Sequence, residues 1–211
     1  MFIELVDILR CLEPHEETWL VVAVQRMDGR HVIEGSLGCP VCHREYAIRD
    51  GVAYFAAAPS ASRPTTTLPN PAEAIRLAAA LALTDAASVA VLHGGWASHV
   101  RLVRSFAPSQ LLVLGALVQM SGGDGVSVIV SDVAPFAAVS VDAVALDAGG
   151  TPALAESLLR SLRIGGRMLA PATLPVPAEI NELARDDEVW VGERIGAATE
   201  PIALTRRGSR A

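Results

Sequence analysis

The chain of 211 residues has no lysine, so all 17 of its Lys and Arg positions are arginine. That bias is compositional and carries no functional weight. Against 23 acidic residues it leaves a formal net charge of -6 and a pI near 5.3. Such a balance disfavours sequence-independent nucleic-acid binding, which depends on clustered basic side chains neutralising phosphates. Only a local face built from Arg26, Arg30, Arg44 and Arg49 could serve it, and nucleic acid is not an expected partner. Aromatic residues are scarce, at 4%, so a core must be made mainly of Ala, Val and Leu. No stretch of about 20 uncharged apolar residues occurs, which excludes a membrane-spanning helix of the usual length. Glu4 and Asp7 stand where a secretory signal would carry a basic segment before an apolar run. The expectation is therefore a cytoplasmic protein. Cysteine is limited to Cys11, Cys39 and Cys42. Three cannot all pair within one chain, and a C-x-x-C spacing in a reducing compartment points to metal before disulfide.

What is present divides in two. The stretch "AAAPSASRPTTTLPNP" mixes Pro, Ser, Thr and Ala without helical or strand period, as a linker does. It predicts an N-terminal domain over 1–56, a linker over 57–71 and a second domain over 72–211. All three cysteines precede it. After it, strand-like and helix-like segments alternate. The fold class is α/β: a small Cys-bearing β domain followed by a Rossmann-like α/β sandwich.

In the first region "TWLVVAVQRMDGRHVIEGSLGC" reads as two β-rich runs around Asp28-Gly29, a hairpin turn in which glycine accepts positive φ. The hairpin delivers the chain to Cys39-Pro40-Val41-Cys42, whose thiolates can grip one face of a tetrahedral ion. Cys11 is the third ligand. His15 is the fourth, because C-x3-H brings both side chains round one turn, with His43 and His31 as rivals. A Cys3His site is closed, hence structural, and zinc would supply much of the folding free energy of so small a domain.

"ILRC" followed by "GSLGCPVCHREYAIRDGVAYF" resembles the zinc-ribbon activator subunits of tRNA and protein methyltransferases. The match runs through Cys39, Cys42, Tyr46, Ile48, Arg49, Asp50 and Gly51. It departs at the first knuckle, where His15 stands near an expected cysteine. The resemblance implies a docking and stabilising module without catalytic residues.

From residue 72 the order reads helix (AEAIRLAAALAL), strand (SVAVLHG), helix (SHVRLVRSF), three strands (QLLVLGA, VSVIVSD, DAVALDA), helix (ALAESLLRSL) and strand (RMLAPA). After 178, "AEINELARDD" predicts a helix, and "EVWVGERI" with "PIALTRR" a terminal strand pair. Such alternation implies a parallel sheet covered on both faces, with ligands at the carboxyl ends of its strands. "VSDVAPFAAVSVDAVALDAG" and "LLRSLRIGGRMLAP" resemble the third-to-fourth-strand passage and the helix, Gly-Gly turn and fifth strand of class I S-adenosylmethionine-dependent methyltransferases. With "VAVLHGG" the resemblance covers most of residues 72 to 172 and implies, after the zinc-ribbon-like β domain, a Rossmann-like α/β sandwich of methyltransferase type.

That resemblance implies cofactor contacts at Gly94, Gly95 and Asp132, the last at the adenine-contacting position unless it only caps its loop. Asp147 falls at the end of strand four, where substrate-facing residues occur. Other features depart from the family. The first strand should end in an acid but ends in His93. Trp96 stands where a third glycine would leave space clear, and "VLGALVQ" offers Gly115 and Ala116 where a carboxylate should hold the ribose. His93 reads either as a general base or as a structural histidine, with no partner carboxylate nearby in sequence. Gly165-Gly166 fit a helix C-cap and tight turn.

Two functions follow. The first is a non-catalytic, methyltransferase-like scaffold or regulatory subunit that has lost S-adenosylmethionine, keeps a structural zinc, and meets a protein partner or a second copy of itself. The second is an active S-adenosylmethionine-dependent methyltransferase with an atypical cofactor loop. No residue is assigned a catalytic role.

Overall fold

Two Asp-Gly pairs shape the N-terminal strands. A computed structural model describes residues 1–56, 68–115 and 125–196. In it, β1 (Val21–Asp28) and β2 (His31–Gly38) are joined through Gly29 at φ 55°, with Asp28 opposite His31. Positive φ at the first of two loop residues is the pattern of a type II′ turn, which matches strand twist. β3 (Glu45–Arg49) and β4 (Val52–Tyr54) turn through Asp50 and Gly51, both at positive φ, as a type I′ turn requires. A 3-10 helix, Ile3–Ile8, precedes these hairpins.

The remaining elements are α1 (Pro71–Ala80), β5 (Val89–His93), a 3-10 turn (Gly94–His99), α2 (Val100–Phe106), β6 (Gln110–Leu114), β7 (Val126–Val130), β8 (Val141–Ala145), α3 (Pro152–Ser161), β9 (Leu162–Pro171), β10 (Ile180–Arg185) and β11 (Val189–Arg194). Local chemistry starts the two longer helices. Asn70 accepts from the Ala72 N–H and Thr151 from the Leu154 N–H, each followed by proline at the first helical position.

Among the described residues all strands form one sheet, ordered β1-β2-β3-β4-β7-β6-β5-β8-β9-β11-β10. β5 to β9 are mutually parallel in the order β7-β6-β5-β8-β9, which is the 3-2-1-4-5 order of a Rossmann domain, and the antiparallel pair β10 and β11 closes it. The fold is thus α/β, a Rossmann-type sandwich with a small Cys-bearing β region at its N-terminus. The two regions meet where β4 pairs in parallel with β7, Val52 opposite Val128. Of the expected linker, residues 57–67 lie outside the described residues.

Alternation along the strands builds two core layers. Ala90 and Leu92 of β5 face Leu77, Val100 and Val103 of α1 and α2, while Val91 faces the opposite layer with Leu154 and Leu158 of α3. That second layer also takes in Leu5, Leu9 and Phe136. The segment after the first 3-10 helix lies along the loop before β8, with Arg10 N donating to Pro135 O and Ala137 N to Ile8 O. The N-terminal region thus covers sheet surface between β7 and β8, a connection that contains no helix.

Two expectations are corrected. The helix read over "AEINELARDD" is strand β10, because its backbone completes the outer edge of β11, and that pairing overrides helical propensity. "PIALTRR", the expected partner strand, lies outside the described residues. Gly165 and Gly166 do not cap a helix. α3 gives way directly to β9, and the glycines sit where Leu162 pairs with Val141 but Arg167 already pairs with Ala143, a bulge. Gly165 has φ 79°, and a Cβ on Gly166 would press on the Asp142 carbonyl.

Candidate functional site

Cys11, His15, Cys39 and Cys42 come together, their ligand atoms all within 4.8 Å of one another. Cys11 Sγ lies 3.7 Å from Cys42 Sγ, and Cys39 Sγ lies 3.4 Å from His15 Nε2. A tetrahedron with zinc–sulfur bonds of 2.3 Å has S···S edges of about 3.8 Å, so the cluster has the size of a zinc site. The turn supports it: His43 N donates to Cys39 O and takes φ 59°, folding the second cysteine back under the first. Burial raises the Cys39 thiol, but the N–H groups of Cys42 and Val41 outweigh it and bring the thiol to about 7. His15 Nδ1 lies 2.6 Å from Glu16 O, which selects the tautomer with Nδ1 protonated and Nε2 free to ligate. Tyr46 accepts from Leu12 N, and its hydroxyl lies 3.4 Å from Cys11 Sγ, where it can donate to a thiolate. The rival histidines are elsewhere, His31 edge-on to Phe2 and His43 exposed.

Three of the arginines that could make a basic face are met by carboxylates: Arg26 by Glu34, Arg30 by Glu4 and Arg44 by Glu13.

At the carboxyl ends of the central strands, side chains from distant segments meet. β5 ends in His93 and turns at Gly94, φ 62°. A Cβ at Gly94 would overlap the carboxylate of Asp147, two residues beyond β8. That carboxylate accepts from Gly95 N at 2.6 Å and from Gly149 N at 2.9 Å. Its Oδ1 also lies 3.2 Å from His93 Nδ1, close enough for an ion pair although the ring N–H is not aligned for a hydrogen bond. Burial pushes the Asp147 carboxyl up, but the His93 ring and the N–H groups of Gly95 and Gly149 prevail and hold it below the usual carboxylate range. On its other side His93 approaches Gly115, at the end of β6, where a Cβ would stand 3.5 Å from the imidazole.

Asp147 is the partner carboxylate that His93 lacked in the sequence. Sequence reasoning missed the contact because 54 positions separate the two, and only the pairing of β5 with β8 in the sheet brings them together. Trp96 stands beside Asp147, half-buried, donating Nε1–H to Leu146 O at 3.3 Å. Asp132 is exposed on the loop after β7, whose turn is held instead by Ser131, with Oγ donating to Val133 O. Ala116 lies outside the described residues.

Next to Asp147 a cavity of about 510 Å³ opens between α1, the 3-10 turn, the ends of β8 and β9 and the β10–β11 turn. On its α1 side, His99 is 2% exposed, with Nε2 3.0 Å from Glu73 Oε2 and Nδ1 3.1 Å from Ser98 Oγ. Ser98 Oγ itself donates to Gly95 O.

Among the structural neighbours are methyltransferases. A geranyl diphosphate C-methyltransferase from Streptomyces coelicolor A3(2) is 18% identical over 47% of this chain and 43% of its own, TM-score 0.39. A putative S-adenosyl-L-methionine-dependent methyltransferase from Methanococcus maripaludis is 8% identical over 62% and 87%, TM-score 0.45. The tRNA (m1A58) methyltransferase TrmI from Aquifex aeolicus is 11% identical over 64% and 73%, TM-score 0.45. The chain spans less than half the length of the geranyl diphosphate enzymes. No family model and no curated protein matches it. No helix among the described residues is long and apolar enough to cross a membrane.

Proposed function

We propose that this chain is a non-catalytic, methyltransferase-like protein whose cofactor crevice is closed by its own side chains. One observation carries the reading: the Asp147 carboxylate lies against Gly94 and takes the Gly95 N–H. Glycines in a nucleotide loop let backbone approach a ligand closely. Here the close approach is made to an internal carboxylate. The end of β6, where a ribose-binding acid would stand, is Gly115, and His93 fills the space beside it.

In this reading Cys11, His15, Cys39 and Cys42 hold one structural zinc ion. The metal ties the segment after the first 3-10 helix to the hairpins, and it does so beside the Rossmann core of the same chain. The region keeps the docking character implied by the zinc-ribbon resemblance. Supporting an interaction role, β1, the edge strand of the sheet among the described residues, presents Val21, Val24 and Met27, with Trp19 just before it, to solvent. A protein partner or a second copy is the occupant expected there.

The test is calorimetric titration of the zinc-replete protein with S-adenosylmethionine and with S-adenosylhomocysteine. The closed crevice predicts no saturable heat. Micromolar binding to either would instead support an active methyltransferase, with Gly94, Gly95 and Asp132 as cofactor contacts and Asp147 displaced.

A further inference from the structure

The cavity beside Asp147 has a chemistry of its own. Leu77, Leu169, Val189 and Val191 make its walls apolar, and Trp96 lines it from the 3-10 turn. Four carboxylates line it as well, Glu73, Asp147, Asp186 and Glu188, against two guanidiniums, Arg76 and Arg185. Both guanidiniums are already engaged. Arg76 pairs with Asp186 at 3.3 Å, and Arg185 makes a two-pronged contact with Glu182 at 3.0 and 2.9 Å. Glu188 is exposed and makes no ion pair among the described residues.

These features select a ligand by charge. With Asp186 answered by Arg76, an anion entering the cavity would face Glu73, Asp147 and Glu188 with no unpaired guanidinium to offset them. A neutral apolar molecule would strip water from Glu188, whose carboxylate has no protein partner among the described residues, and return nothing. A cation is attracted by these carboxylates and by the face of an indole, the aromatic ring best suited to it. The volume is within the range of small-molecule sites. We propose that this cavity binds a small organic cation, an amine with an apolar body, its charge met by Trp96 and the carboxylates and its body lying on the aliphatic walls. Such a ligand needs neither the crevice at Gly94 nor an adenosyl group.

The experiment is calorimetric titration of the zinc-replete chain with 2-phenylethylammonium, with 2-phenylethanol as its neutral counterpart and 3-phenylpropionate as its anionic one. The ammonium is expected to saturate, the alcohol to bind about tenfold more weakly, and the carboxylate to give no heat. Glu188→Gln and Trp96→Leu should each weaken the ammonium about fivefold. Glu188→Gln, at an exposed position, should leave thermal unfolding unchanged, so a loss of binding there is a loss of charge and not of fold. Equal affinity for the three probes, no heat from the ammonium at high millimolar concentration, or full binding retained by both variants would each overturn the proposal.

Discussion

His93 Nδ1 and Asp147 Oδ1 lie 3.2 Å apart across the carboxyl ends of β5 and β8, the place where a doubly wound sheet ordinarily receives its ligand. The pair joins strands that are neighbours in the sheet but far apart in the chain. Because the same carboxylate also accepts from Gly95 and Gly149, it fastens the turn after β5 to the end of β8. In the proposed function this hydrogen-bonded carboxylate is the plug that closes the crevice.

The plug makes stability depend on acid pH. Asp147 is held below the usual carboxylate range in the folded protein. A depressed carboxylate contributes stability that is fully present above its unfolded value and is lost as pH falls through its folded value. Asp147→Asn should remove that part of the acid dependence and cost roughly 2 kcal/mol at neutral pH, the scale of hydrogen bonds to a charged acceptor. Urea unfolding of both proteins between pH 3 and 7 measures it; parallel curves would show that Asp147 is not a stabilising charge.

Gly94→Ala tests the same arrangement from the other side. A left-handed φ costs an L-residue about 1–2 kcal/mol, and the new methyl group would also have to displace the Asp147 carboxylate. A total loss of roughly 3 kcal/mol is expected by denaturant titration. Asp132→Ala, on the exposed loop after β7, should stay within about 0.5 kcal/mol of the parent.

Local signals in the sequence and contacts between distant segments were unequally legible. The Cys39-x-x-Cys42 knuckle, the Asp28-Gly29 turn and the succession of helices and strands from α1 to β9 are written in short stretches, where spacing and glycine chemistry decide the outcome. The parallel pairing of β4 with β7 is not, since nothing in "GVAYF" says which strand will lie beside it. β10 was misread because "AEINELARDD" has helical composition, while the unpaired edge of β11 that recruits it is a tertiary fact. The cavity draws its lining from segments as distant as Glu73 and Val191, so no window of sequence could display it.

Metal content is directly measurable. One zinc per chain is expected, and a chelator should release it. Free zinc a thousandfold above its dissociation constant stabilises a folded protein by about 4 kcal/mol, so chelation or Cys42→Ser should lower stability by that order. Cys42 is exposed and contributes little packing of its own. A Cys42→Ser protein that keeps both full stability and full zinc content would remove Cys42 from the site.

Leu9→Ala asks whether the Cys-bearing region and the Rossmann core unfold together. Leu9 is fully buried, shares a hydrophobic cluster with Leu112, Ile129 and Phe136, and makes a backbone bridge to Phe136. Truncating such a side chain costs about 2–5 kcal/mol. If the shared sheet and core act as one cooperative unit, the whole loss appears as a shift of a single transition, seen alike by Trp fluorescence and far-UV circular dichroism. Trp190, fully buried between β11 and the loop carrying Leu174, reports from the far end of the sheet. Two separated transitions, with the later one unmoved by Leu9→Ala, would mean that β4 and β7 join two units that are stable apart.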